Sequence, residues 1–112
     1  MVQLFAELGA NSLMLSIKII KSYRDVVTVC DTKLIGKKFE EDRFQLDVKE
    51  SFYKGEETSL EKAKKIMQDM KKEDATFNII GEKSVNTALK AGIISKQGIN
   101  KIQGIPFALI LL

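Results

Sequence analysis

Histidine and tryptophan are absent from the 112 residues, and there is one cysteine and one proline. With no imidazole and only Cys30, no Cys/His cluster can be assembled to hold zinc or a related metal, so no metal site is expected. The Ser-His and Cys-His nucleophile arrangements are excluded for the same reason, because the base is missing. The chain is therefore read as non-enzymatic, with no catalytic residue and no cofactor. The lone thiol ends a β-like run, Val26-Val27-Thr28-Val29-Cys30, and reads as a small buried hydrophobe. One cysteine permits no disulfide framework within the chain, which fits a reducing cytoplasm. Long apolar runs are also missing: none approaches the roughly 20 residues that a membrane-spanning helix needs. Met1 to Leu15 carries Glu7 and Asn11 and no basic start, unlike a standard signal peptide.

What is present is an ordinary globular mixture, 45% hydrophobic and 29% charged, long enough for one domain with a real core. The net charge of +3 is unevenly placed: residues 1–56 hold nine basic and nine acidic groups, residues 57–112 nine and six. All the basic residues except Arg24 and Arg43 are lysine. An excess this small permits contact with nucleic acid without requiring it.

Residues 1–13 read as an N-terminal extension, with Leu4, Phe5 and Leu8 at helical spacing, and residues 14–112 as a single α+β domain. Leu15 to Lys21 alternates as a half-buried strand, Ser22 to Asp25 turns, and Val26 to Cys30 returns, making a hairpin. Glu40-Glu41-Asp42 reads as an acidic bend. Arg43 to Val48, with Phe44, Leu46 and Val48 inward, would complete an antiparallel three-stranded meander. Phe52 and Tyr53 are expected to cover the open end of this sheet.

Thr58 to Lys72 is the one long amphipathic helix. Leu60, Ala63, Met67 and Met70 form its apolar stripe, and Thr58-Ser59-Leu60-Glu61 matches a capping box. Ala75 to Ile80 then reads as a buried strand, Gly81 as a sharp turn, and Ser84 to Leu89 as a helix ending at Gly92: a strand–turn–helix unit. Ser95 is expected to open a short helix carrying Ile99 and Ile102. Phe107 to Leu112 is expected to form an apolar C-terminal strand in the sheet interior.

Three groups of residues invite a functional reading. Gly81, Lys83 and Ser84 lie where a helix start exposes backbone N–H groups, the geometry of an anion site. A polyphosphate loop is excluded, since Thr76 and Glu82 stand where glycine and lysine would be needed. Lys33, Lys37 and Lys38 flank Gly36 on an exposed loop, and Lys62, Lys65 and Lys72 decorate the long helix, so both groups, with Lys83, are candidates for phosphate contact. Tyr23, Phe39 and Tyr53 are candidate base-stacking aromatics, but no RNP-like pattern or GXXG clamp accompanies them. Asp31, at a strand end, reads as a turn-making Asx residue.

The order of several short motifs resembles the archaeal domain-of-unknown-function family numbered 424. The motifs are Val29-Cys30-Asp31, Leu34-Ile35-Gly36-Lys37-Lys38-Phe39 and Phe52-Tyr53-Lys54-Gly55. They continue with Asn78-Ile79-Ile80-Gly81-Glu82-Lys83, Ala88-Leu89-Lys90-Ala91-Gly92 and Ile102-Gln103-Gly104-Ile105-Pro106. The resemblance runs from about Met14 to Ala108 and implies a small archaeal α+β domain, with no catalytic residues to carry over. By analogy with other small basic archaeal proteins it suggests translation or RNA handling. The expected function is a non-enzymatic RNA-associated protein, a small component of or factor on the archaeal ribosome. It would bind ribosomal RNA phosphates through lysines without reading sequence, beside ribosomal proteins. The alternative is a protein-interaction or oligomerisation module using the apolar termini, including a homo-oligomer. No membrane and no small-molecule substrate are expected.

Overall fold

The two buried runs, Val26–Cys30 and Thr76–Ile80, lie side by side at the centre of the molecule. The computed structural model describes residues 14–110; the expected extension over residues 1–13 and the last two residues of the C-terminal strand lie outside the described residues. In chain order the elements are β1 (Met14–Ile20), β2 (Val26–Cys30), a 3-10 turn (Thr32–Leu34), β3 (Lys38–Glu41), β4 (Phe44–Asp47) and a one-turn helix α1 (Glu50–Tyr53). There follow β5 (Glu56–Ser59), the long helix α2 (Leu60–Lys72), β6 (Thr76–Ile80) and helix α3 (Glu82–Lys90). A second 3-10 turn (Lys96–Gly98), β7 (Asn100–Ile102) and β8 (Ile105–Ile110) complete the α+β domain.

Among the described residues six strands form one mixed sheet in the order β5-β1-β2-β6-β8-β7, in which β2 and β6 run parallel and every other neighbour is antiparallel. The β1–β2 hairpin has the expected pairing, with Ser16 opposite Cys30 and Ile20 opposite Val26. Central strands of this kind are covered on both sides, so β2 reads as a nearly continuous apolar run, interrupted only by buried Thr28, and not as an alternation. Helices α2 and α3 cover one face. There Leu15, Val27, Val29, Phe77 and Ile79 pack against Ala63, Met67, Val85 and Ala88. On the other face Cys30, Ile80 and Ile102 meet Leu34, Leu46, Val48 and Tyr53 from the 3-10 turn, the β3–β4 hairpin and α1. Burying each large apolar side chain such as Phe77 or Ile79 contributes roughly 1.5–3 kcal/mol.

Several expectations are corrected. Phe44 to Asp47 does form a strand but does not join a three-stranded meander. It pairs with β3 in a separate two-stranded sheet, because the free edge of β2 is taken by β6. Within it Leu46 and the following Val48 face the core, whereas Phe44 is 65% exposed. The acidic bend is a hairpin: Glu40 and Glu41 belong to β3, and the chain turns at Asp42, which holds φ +55°. Helix α2 begins one residue later than the capping box requires. Ser59 is the cap and its hydroxyl accepts from Lys62 N–H at 3.3 Å, while Thr58 stays in β5 and donates to the Glu56 carbonyl.

The helix α3 ends as expected, with Gly92 N–H donating to Leu89 O and Ile93 N–H to Ala88 O, the two bonds of a Schellman motif. The short helix after Ser95 shrinks to the second 3-10 turn. Ile99 follows that turn and Ile102 lies in β7, which turns at Gln103-Gly104 into β8. Positive φ at both turn residues suits a two-residue hairpin, whose strand pairing overrides the helical spacing. The expected interior position of the C-terminal strand is found in part: β8 lies between β6 and β7, but β7 reaches only to Phe107, and Ala108–Ile110 pair with β6 alone.

Candidate binding site

Parallel strands β2 and β6 both end on one rim of the sheet, and the residues that follow, Asp31 and Gly81, touch. In open sheets with parallel strands, ligands commonly meet the chain at this rim. Here the rim is closed by a carboxylate of the chain itself. Asp31 is 3% exposed and accepts from Lys83 N–H at 3.1 Å, Ser84 N–H at 2.8 Å and the Ser84 hydroxyl at 2.8 Å. The anion expected on Gly81, Lys83 and Ser84 is therefore the Asp31 side chain, across a sequence separation of 52 to 53 residues. Asp31 is no Asx turn but the cap of a distant helix, favoured by the N–H groups and positive dipole at the start of α3. The Asp31 N–H donates to Ile80 O and the Gly81 N–H to Pro106 O, so the junction ties β2, β6 and β8 to α3.

The lysines fall into two groups. Lys33, Lys37 and Lys38 are exposed on the segment from the 3-10 turn to β3, and among the described residues none of the three is ion-paired. Gly36 N–H to Val48 O at 2.7 Å and Val48 N–H to Lys37 O at 2.9 Å hold this segment in place. Lys83 lies in the first turn of α3 at the same rim, its backbone bound to Asp31. Lys62, Lys65 and Lys72 stand on α2, over the opposite face of the sheet, where Lys62 pairs with Glu56 at 3.5 Å and Lys65 with Asp69 at 3.8 Å. The two groups do not form one surface. Of the aromatics, Tyr23 is fully exposed at the β1–β2 turn, Phe39 is half-buried, and Tyr53 is buried against Phe52, so Tyr53 presents no stacking face.

Burial pushes the Cys30 thiol from its ordinary 9.0 up to about 12, with the Asp31 charge adding to the shift. Burial likewise pushes the Tyr53 phenol from 10.0 up to about 12. Above the ordinary values the unfolded chain releases protons that the folded chain keeps until about 12, so stability is complete below them and falls as pH rises through this window. A loss of roughly 2–4 kcal/mol between about pH 8 and pH 11 is expected from urea midpoints. Cys30→Val should remove the larger part of that slope. An unchanged slope would assign the effect elsewhere. The same burial leaves the thiol unreactive in the folded protein.

Two cavities flank the junction. One of about 390 Å³ lies between β1, the 3-10 turn and α1, where the Thr32 hydroxyl oxygen is buried without a partner. The other, of about 320 Å³, lies between α3 and the β7–β8 hairpin and is lined by Glu82, Asn86, Leu89, Ile99, Lys101 and Pro106. The sequence reading assigned none of these six a binding role. The only signal for them is the i, i+4, i+7 spacing of Glu82, Asn86 and Leu89 along one helix side. Among the described residues no group of three or more Cys, Asp or Glu side chains is placed to hold a metal ion. No described helix is long and apolar enough to cross a membrane.

Comparison with solved structures finds a similar fold in an uncharacterized conserved protein from Methanopyrus kandleri. It has a TM-score of 0.78 and 21% identity, covering 87% of this chain and 90% of that one. No curated protein matches the chain. Residues 20–112 match the family described as "Protein of unknown function (DUF424)". The motif order from Val29-Cys30-Asp31 to Gly104-Ile105-Pro106, now seen to build the strand ends, the Asp31 junction and the last hairpin, is thus that of the DUF424 family, to which this chain belongs.

Proposed function

We propose that the protein is a non-enzymatic RNA-associated factor that docks on the ribosome through backbone phosphates. The observation that supports this reading is the group of exposed lysines Lys33, Lys37 and Lys38, without ion pairs among the described residues, on a segment held in place by backbone hydrogen bonds to Val48. A held segment loses little conformational freedom on binding, and ammonium groups without carboxylates need break no ion pair first. Lys62 and Lys65 are ion-paired on the other sheet face and leave this surface. Reading of base sequence has no part in the proposal.

The experiment is co-sedimentation with ribosomal subunits over a salt series, comparing the wild type with the Lys33→Gln/Lys37→Gln/Lys38→Gln variant. Binding should weaken steeply with salt, and the triple variant should lower the slope of log affinity against log salt by about 2–3. A flat salt response, or a variant indistinguishable from wild type, would sink the reading. The alternative through the apolar C-terminus keeps a short backbone edge, because among the described residues β7 covers only Ile105–Phe107 of β8 and leaves Ala108–Ile110 paired to β6 alone. An enzyme acting on a phosphorylated metabolite at the Gly81 turn is disfavoured, because Asp31 already fills that anion seat.

A further inference from the structure

Two helices side by side cover about 20 Å. Six strands at about 4.8 Å spacing span about 24 Å between their outer members. The helix layer therefore falls short of the sheet, and the shortfall lies at β7, beyond α3. The result is the trough of about 320 Å³ between the outer side of α3 and the β7–β8 hairpin. Glu82, Asn86 and Leu89 line its helix wall, Lys101 and Pro106 its sheet wall, and Ile99 its far end.

The trough has a charged end and an apolar end. The Gly81 N–H donates to the Pro106 carbonyl at 2.8 Å, which sets the start of α3, and so Glu82, at the level of Pro106. Lys101 is the register partner of Pro106 in the β7–β8 pair. A carboxylate and an ammonium thus flank one end. Among the described residues Glu82, Lys101 and Asn86 make no side-chain hydrogen bond or ion pair, with each other or with any other group. Along the trough α3 and β8 run the same way. Leu89 therefore stands further along, beside half-buried Ile99, which precedes β7. The volume is at the small end of the roughly 300–1,000 Å³ range of small-molecule sites, which combine apolar walls with a few convergent polar groups.

We propose that this trough binds a free α-amino acid with an apolar side chain. The ligand ammonium meets Glu82, its carboxylate meets Lys101, the Asn86 amide serves either, and the side chain lies toward Leu89 and Ile99. Opposite charges held apart on the two walls favour a ligand that carries both signs at one end over one that carries either alone.

The test is a titration of the full-length protein followed by amide chemical shifts, using leucine, isoamylamine, 4-methylpentanoate and glycine as probes. Leucine should shift the amides of Asn86, Leu89, Ile99 and Lys101 along one saturating curve below about 10 mM. The three partial probes should each bind at least about tenfold more weakly, the loss expected when one charge-assisted contact or the apolar contact is removed. Glu82→Gln should abolish the preference for leucine over 4-methylpentanoate, and Lys101→Gln the preference over isoamylamine. Both positions are exposed, so neither substitution threatens the fold. Absence of saturation, equal binding of all four probes, shifts spread over the surface, or variants that keep both preferences would each overturn the proposal. None of these outcomes bears on the lysine surface, whose test reads salt dependence of ribosome binding.

Discussion

Gly81→Ala is expected to destabilise the protein by about 3–5 kcal/mol, enough to unfold it if its total stability is near the low end of the usual range. Two independent terms add. Gly81 holds φ +110°, a backbone conformation that costs an L side chain on the order of 1–3 kcal/mol. A Cβ there would also lie 2.4 Å from Asp31 Cγ and 2.6 and 2.7 Å from its carboxylate oxygens. The carboxylate cannot swing away without losing its bonds to Lys83 N–H, Ser84 N–H and the Ser84 hydroxyl. Leaving those buried donors unpaired costs about 1–3 kcal/mol each. A double-mutant cycle in urea separates the terms. Asp31→Ala alone should also cost about 3–5 kcal/mol through lost capping and charge-assisted bonds. In that background Gly81→Ala should cost only its backbone strain, leaving a coupling above about 1 kcal/mol. Full additivity would show that the two positions do not touch in solution.

Gly55→Ala is expected to be nearly as damaging, by a different route. Its backbone lies so close to β1 that a Cβ would sit 2.2 Å from Ile17 O and 2.7 Å from both Ile17 C and Lys18 Cβ. Overpacking against side chains costs about 1–3 kcal/mol, and a strand backbone that is hydrogen-bonded on both edges yields less than a side chain does. We therefore expect about 3 kcal/mol or more. The damage should concentrate where Gly55 anchors α1: the Gly55 N–H donates to Ser16 Oγ at 2.7 Å, and Ser16 Oγ donates to Tyr53 O at 3.2 Å. Amide exchange should accelerate through Glu50–Tyr53 and at Gly55 before it does in β6 or α3. Gly98→Ala, where a Cβ meets nothing within 4 Å, is the matched control and should be close to neutral. Equal effects at Gly55 and Gly98 would refute the close approach.

Elements whose formation is local were readable directly. The Val26–Cys30 strand has the bounds that its β-branched run predicts, and α2 carries the apolar stripe Leu60, Ala63, Met67 and Met70 toward the core. The Schellman end at Gly92 was equally plain, since one glycine after an apolar period is a local signal. Pairing partners were not readable. A strand's sequence states which faces are buried, and not which neighbour buries them, so Phe44 to Asp47 could not be told from a third member of the meander. Ile99 and Ile102 show the same limit. Their three-residue spacing suits a helix, and only hydrogen bonding to β8 makes Asn100–Ile102 a strand.

The family motif order and the absence of histidine chemistry are properties of the chain alone, and so are the α+β class and the position of each exposed lysine in it. Which lysines share a surface was decided by the tertiary structure, which puts α2 and the Lys33–Lys38 segment on opposite faces of the sheet. The occupant of the helix start at Gly81 was decided there too. An N-terminal dipole attracts any anion, and only folding brings Asp31 across 52 residues to fill the seat. The trough at Glu82 and Lys101 exists because two helices are narrower than six strands, and that mismatch is written in no single segment of the sequence.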